Sequence, residues 1–166
     1  MRIPKTIPAL VLTFAMLWSF LTGTGNAAQV APPFSLSDTE QNTVALESYH
    51  GKVVLLTFWA TWCASCREEL PGLDRLHKRL SPKGFTVLSV CVDPSPAVVS
   101  AYLRQHPLSF PVLIDQGGEV ADRYRLAGFP ASFILGKDGV ISQQHLGYGK
   151  ESLALYEKEI LDLLQQ

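Results

Sequence analysis

Two hydrophobic rhythms alternate along the chain. Residues 53–59 (Val-Val-Leu-Leu-Thr-Phe-Trp) are almost uninterruptedly apolar and include β-branched side chains, the pattern of a strand buried on both faces of a sheet. Beyond them Leu70, Leu73, Leu76 and Leu80 recur at spacings of three and four, which predicts one apolar face of a helix beginning near residue 63. Pro71 falls inside that helix and should bend it, because its ring removes a hydrogen bond and crowds the preceding turn. A second buried strand is expected over 85–92, a helix over 97–106, a strand over 110–114 and a short helix over 119–124. Residues 131–135 and 140–145 flank Lys137-Asp138-Gly139, a strong hairpin signal. Leu153, Tyr156, Ile160 and Leu164 then share one face of a closing helix. Strands separated by helices imply a parallel sheet, and the late hairpin adds an antiparallel edge. The expected fold class is α/β, with a central mixed sheet flanked by helices.

The start of the chain follows a different logic. Arg2 and Lys5 make a basic opening, and residues 9–21 form an apolar run of signal-peptide length, short for a full membrane span. Small residues follow, and Gly25-Asn26-Ala27 or the neighbouring Ala28 offers a cleavage point. Residues 1–27 are therefore expected to be a signal peptide, or an uncleaved N-terminal anchor, and 28–166 a single exported domain. With no cysteine near the cleavage point, a lipid-modified N-terminus is not expected. All 15 acidic residues and all but two of the 14 basic ones lie in the mature part, a weakly acidic balance that does not point to nucleic acid. The segment Ala31-Pro32-Pro33 should lead extended into the first strand. A monomer is expected, soluble or tethered only at its start.

The chain has three cysteines, an odd number that argues against a disulfide-stapled scaffold and for one redox pair plus a spare. Cys63-Ala64-Ser65-Cys66 places two thiols where a buried strand becomes a helix. The first sulfur can there face solvent near the unsatisfied N–H groups of the helix, whose partial positive charge favours a thiolate. Cys63 is thus read as the attacking thiol, and Cys66, one turn on, as the thiol that attacks the resulting mixed disulfide and releases the substrate. The competing readings are half of a zinc site or a purely structural bridge. A zinc site would need a second closely spaced pair of Cys or His, which the sequence lacks, and a bridge over so tight a loop would constrain the unfolded chain little. No cofactor is expected beyond the Cys63–Cys66 couple, and no metal.

Phe58-Trp59-Ala60-Thr61-Trp62-Cys63-Ala64-Ser65-Cys66 resembles the active-site motif of thioredoxin-like proteins, and most of all the exported TlpA, ResA and CcmG type of thiol:disulfide interchange protein. Similar features run from Ala31-Pro32-Pro33-Phe34-Ser35-Leu36 through Gly51-Lys52-Val53-Val54 to Gly128-Phe129-Pro130 and the hairpin after it. The resemblance implies a thioredoxin-like fold with an N-terminal extension and an extra helix inserted before the cis-proline loop. It makes Pro130 the cis-proline beside the cysteines and has Phe129 present backbone groups to a substrate strand, although X-Pro bonds are ordinarily trans. It places Glu69 where ResA-like proteins carry a glutamate. Three residues from Cys66 on a helix, that carboxylate could relay a proton to or from the thiol, or stand solvated beside Arg67 and Glu68. Thr57 occupies the position of thioredoxin's buried aspartate. Ser65 replaces the proline common before the second cysteine, and Ala131-Ser132 replace the usual threonines, so the reduction potential cannot be carried over.

Trp62 is expected to cover the disulfide and meet the partner, and Trp59 to belong to the core. Cys91, ending a buried strand, reads as an inert core thiol rather than a redox partner. His50, His77, His106 and His145 show no metal-ligand spacing. The leading functional expectation is an oxidoreductase that keeps cysteines of exported proteins reduced, in cytochrome c maturation or metal-centre assembly, fed by a membrane-embedded reductase. The alternatives are an oxidising role in disulfide formation and a thiol-based copper-holding module, although no methionine or histidine sits beside the motif to complete a Cu(I) site. A peroxiredoxin-like peroxidase is disfavoured, because the residues before Cys63 lack the Pro-x-x-x-Thr-x-x-Cys pattern.

Overall fold

A computed structural model describes residues 29–166. The expected signal segment, and with it the boundary at 27/28, lies outside the described residues. Seven strands and four α-helices follow in the order β1 (Ser35–Asp38), β2 (Thr43–Ala45), β3 (Val53–Trp59), α1 (Ala64–Leu80), β4 (Phe85–Cys91), α2 (Pro96–Gln105), β5 (Val112–Ile114), α3 (Glu119–Arg123), β6 (Ala131–Leu135), β7 (Ile141–Leu146) and α4 (Ser152–Leu164). The strands form one sheet in the order β2-β1-β5-β4-β3-β6-β7. Parallel pairing joins β3 to β4 and β4 to β5, whereas β6 and β7 on one side and β1 and β2 on the other run antiparallel. This is the mixed α/β sandwich expected from the alternation of rhythms.

The two faces of the sheet follow from the period-two geometry of its central strand. Val53, Leu55 and Trp59 join Leu70, Leu73, Leu76 and Leu80 of α1 and Tyr156 and Ile160 of α4 in one buried cluster. Val54, Leu56 and Phe58 point the other way, into a cluster with Val120 and Ala121 of α3 and Phe34 and Leu46 of the N-terminal segment. Every residue of β3 and β4 is buried, and apolar side chains fill both strands except at Thr57, Thr86 and Ser89. Gly72 lets α4 approach α1 closely, since a Cβ there would run into the Leu153 side chain. Truncating Leu73, which is fully buried between α1 and the sheet, is expected to cost about 2–5 kcal/mol, measurable by urea unfolding.

Differences from the expected boundaries have local causes. The strand expected from residue 110 begins only at Val112, because Pro111 has no N–H to donate; its carbonyl instead accepts from the Ser89 N–H. The hairpin strand expected from 140 begins at Ile141, because the Val140 N–H turns back to the Asp138 carboxylate at 3.1 Å. Gly139 supplies the positive φ, 77°, that this turn needs. Helix α1 spans Pro71 without a break. Among the described residues no helix is long and apolar enough to cross a membrane.

Candidate active site

Strands β3 and β4 end side by side, with Trp59 opposite Cys91 in the register. Past Trp59 the chain makes a tight turn in which the Cys63 N–H donates to the Ala60 carbonyl at 3.1 Å. Cys63 then becomes the N-cap of α1, with extended backbone (φ −83°, ψ 112°). Its sulfur accepts from the Cys66 N–H at 3.2 Å, one of the helix's first donors that has no partner within the helix. Cys63 and Cys66 are joined in a disulfide with their Cα atoms 5.3 Å apart. The Ser65 hydroxyl lies 3.5 Å from the Cys63 sulfur. The two sulfurs are not equivalent, because Cys63 retains 8% of its accessible surface and Cys66 none.

The side chains around the disulfide come from three parts of the fold. Trp62, on the turn, is 63% exposed. Its ring stands edge-on to Phe129 with centroids 5.9 Å apart. The Phe129–Pro130 peptide is cis. Pro130 is buried, and its carbonyl accepts from the Gly147 N–H at 2.8 Å, tying this loop to the end of β7. Trp59 is wholly buried and packs on Tyr102 with centroids 5.4 Å apart, as a core residue.

Glu69 is fully buried, so it is not the solvated glutamate of a charged patch; Arg67 and Glu68 beside it are exposed. The Tyr156 hydroxyl, reaching over from α4, donates to Glu69 Oε1 at 3.0 Å. Oε2 has no hydrogen-bond partner. Thr57 and Ser132, paired across β3 and β6, hydrogen-bond to each other at 2.9 Å. They lie close enough to ease the carboxylate's burial without closing a hydrogen bond to Oε2. Burial nonetheless prevails over these neighbours and pushes the Glu69 carboxyl up to about 7. An acid that titrates near neutrality therefore stands on α1 one helical turn beyond Cys66.

Cys91 is buried, and burial, with Asp93 adding to it, raises its thiol far above the ordinary range. That is the environment of an inert core thiol. The histidines are spread over the molecule: His77 accepts from the Val87 N–H at 3.2 Å, His145 pairs with Glu159 at 2.7 Å, and His106 packs on Tyr102. Two polar residues of the site are not evident from the sequence pattern. Asp93 lies two residues past the end of β4, and its carboxylate holds the Thr61 N–H at 2.7 Å and hydroxyl at 3.0 Å. The helical spacing of Tyr156 shows only its apolar face; the signal for its polar role is that a buried tyrosine hydroxyl needs a partner.

Residues 27–144 match the AhpC/TSA family. The thiol-disulfide oxidoreductase ResA of Bacillus thuringiensis subsp. konkukian (strain 97-27) is 37% identical over 131 residues, covering 78% of this chain and 76% of that protein. The thioredoxin-like protein YneN of Bacillus subtilis (strain 168) is 39% identical over 122 residues, covering 72% of this chain and 71% of that one. Among solved structures, a Chlorobium tepidum protein assigned as a thiol:disulfide interchange protein DsbE superposes with a TM-score of 0.80 at 32% identity, covering 82% of this chain and 96% of that one.

Proposed function

The chain belongs to the AhpC/TSA family, as a thioredoxin-like thiol:disulfide oxidoreductase of the TlpA/ResA/CcmG type, and from that premise we propose that it reduces disulfides of exported proteins through Cys63, Cys66 and Glu69. The observation that carries this reading is the inequality of the two sulfurs at the mouth of α1. In the reduced protein the Cys63 thiolate, favoured by the helix N-terminus and the Cys66 N–H, attacks one sulfur of a substrate disulfide. The other substrate sulfur leaves as a thiolate and takes up a proton, and Cys63 is left in a mixed disulfide. Cys66 then gives its proton to the Glu69 carboxylate, and its thiolate attacks the Cys63 sulfur. The second substrate thiol departs, and two electrons have passed from the pair to the substrate. Trp62 and Phe129 form the apolar flank against which the substrate segment rests, and Pro130 holds the loop beside the sulfurs.

The AhpC/TSA match does not make the chain a peroxidase. Leu56 and Ala60 stand where the peroxidatic pattern would place its proline and threonine. Export rests on the basic start and the apolar residues 9–21, and it puts the regenerating electrons across a membrane, from a membrane-embedded reductase. The substrates are exported proteins whose cysteines must stay reduced for haem attachment or metal-centre assembly. A Cys66→Ser variant should accumulate its natural partner on Cys63 as a mixed disulfide, identifiable by mass spectrometry and absent from the Cys63→Ser/Cys66→Ser double variant. Capture that does not depend on Cys63 would overturn the reading.

A further inference from the structure

We propose that Asp93 is a positioning residue for disulfide exchange, holding the turn that presents Cys63 through a clamp on Thr61. The proposal rests on Cys63 being the attacking thiol. Asp93 and Thr61 stand two residues beyond the paired ends of β4 and β3, so the parallel register alone brings them together at the carboxyl edge of the sheet. Asp93 keeps only 4% of its surface and spends both carboxylate oxygens inward. Oδ2 accepts from the Thr61 N–H at 2.7 Å and from the Cys91 thiol at 3.2 Å, while Oδ1 accepts from the Thr61 hydroxyl at 3.0 Å. From the opposite side the Arg67 guanidinium, one turn into α1, donates to the Thr61 carbonyl at 2.6 Å. Thr61 is thus fixed at its N–H, its hydroxyl and its carbonyl. It is also the second residue of the turn closed by the Cys63 N–H on Ala60.

A buried carboxylate is an expensive way to fill space, and an apolar side chain would stabilise the end of a strand at least as well. What a carboxylate adds is two acceptors in a fixed plane, matched here to the two donors of one residue. Rotating Thr61 would rotate Trp62 and swing the Cys63 sulfur away from the Cys66 N–H that favours its thiolate. Asparagine should preserve the clamp, since its oxygen can accept from the Thr61 N–H while its amide donates to the Thr61 hydroxyl. Alanine cannot.

The test compares reduced wild-type protein with Asp93→Ala, Asp93→Asn, Thr61→Val and Cys91→Ala variants. The readouts are the rate at which Cys63 attacks glutathione disulfide across pH, and the melting temperature. Asp93→Ala is expected to slow the attack about tenfold or more, with Asp93→Asn within about threefold of wild type and Thr61→Val between them. Cys91→Ala, which removes the donor that does not belong to the turn, is expected to match wild type. An Asp93→Ala protein that melts lower but attacks at the wild-type rate would reduce Asp93 to a stabilising residue and overturn the proposal. So would an Asp93→Asn protein as slow as Asp93→Ala, since charge rather than position would then be at work. Should Asp93→Ala not fold, Thr61→Val decides, and a wild-type rate there overturns the clamp. A slow, unselective Cys63 in the wild-type protein would instead refute the attacking-thiol reading.

Discussion

Replacing Cys63 with serine is expected to lower disulfide exchange at least about a thousandfold, because the thiolate is the nucleophile and a hydroxyl at the same place stays protonated. The same substitution at Cys66 has a different outcome. Cys63 remains at the N-cap, with the Cys66 backbone N–H still available to its sulfur, so a first attack proceeds while release stalls. Cys91→Ala should leave turnover unchanged, since its thiol is buried and held in its protonated form. Insulin reduction followed by turbidity separates the three variants: no reduction for Cys63→Ser, an arrested single attack for Cys66→Ser and full turnover for Cys91→Ala. Equal residual activity in the Cys63 and Cys66 variants would contradict the assigned division of labour. The asymmetry is a product of the fold, because the strand-to-helix transition leaves the first sulfur a small accessible edge while the helix carries the second wholly out of reach of solvent.

Much of this arrangement was readable from side-chain rhythm. The buried run 53–59 and the leucines at 70, 73, 76 and 80 placed the cysteine pair at a strand-to-helix junction, and the structure has that junction with Cys63 as N-cap. The short strands β1 and β2 were harder to read. They are four and three residues long, and only Leu36 and Val44 pack against the core, so periodicity had almost nothing to register. The burial of Glu69 was equally hidden. On the helix it falls beside Leu70 and Leu73 in the buried stripe, but a glutamate flanked by Arg67 and Glu68 reads as surface. Its concealment depends on α4 folding back from 87 residues away in sequence to bring the Tyr156 hydroxyl onto it. Asp93 needed the strand register. Nothing in Asp-Pro-Ser-Pro says that its first residue will meet Thr61, whereas the pairing of Trp59 with Cys91 requires them to be close.

Glu69→Gln is expected to slow the release step on the order of a hundredfold above pH 7, while leaving the first attack by Cys63 nearly intact. The base must be ionised to take the Cys66 proton, and burial places its titration at about 7. In wild-type protein, release of a small thiol from a mixed disulfide preformed on Cys63 should therefore accelerate as pH rises through that value. The glutamine variant should lack this inflection and fall into line with wild type at low pH, where Glu69 is protonated in both its folded and working forms. Stopped-flow measurement of the released thiol checks the rate, and an inflection that survives in Glu69→Gln would remove the carboxylate from the mechanism. The same titration leaves a mark on stability, which a kinetic role alone would not demand. The carboxyl is raised from an ordinary value of 4.5 to about 7, so the folded protein holds this proton more tightly than the unfolded chain does. That contribution is complete below about pH 4.5 and is lost as pH climbs through 7, a change on the order of 3 kcal/mol. Urea unfolding across this window should show wild-type stability declining relative to Glu69→Gln, which has no proton to lose. Parallel stability curves would mean that Glu69 ionises in the fold as readily as in water, and a base so placed would have no reason to be buried.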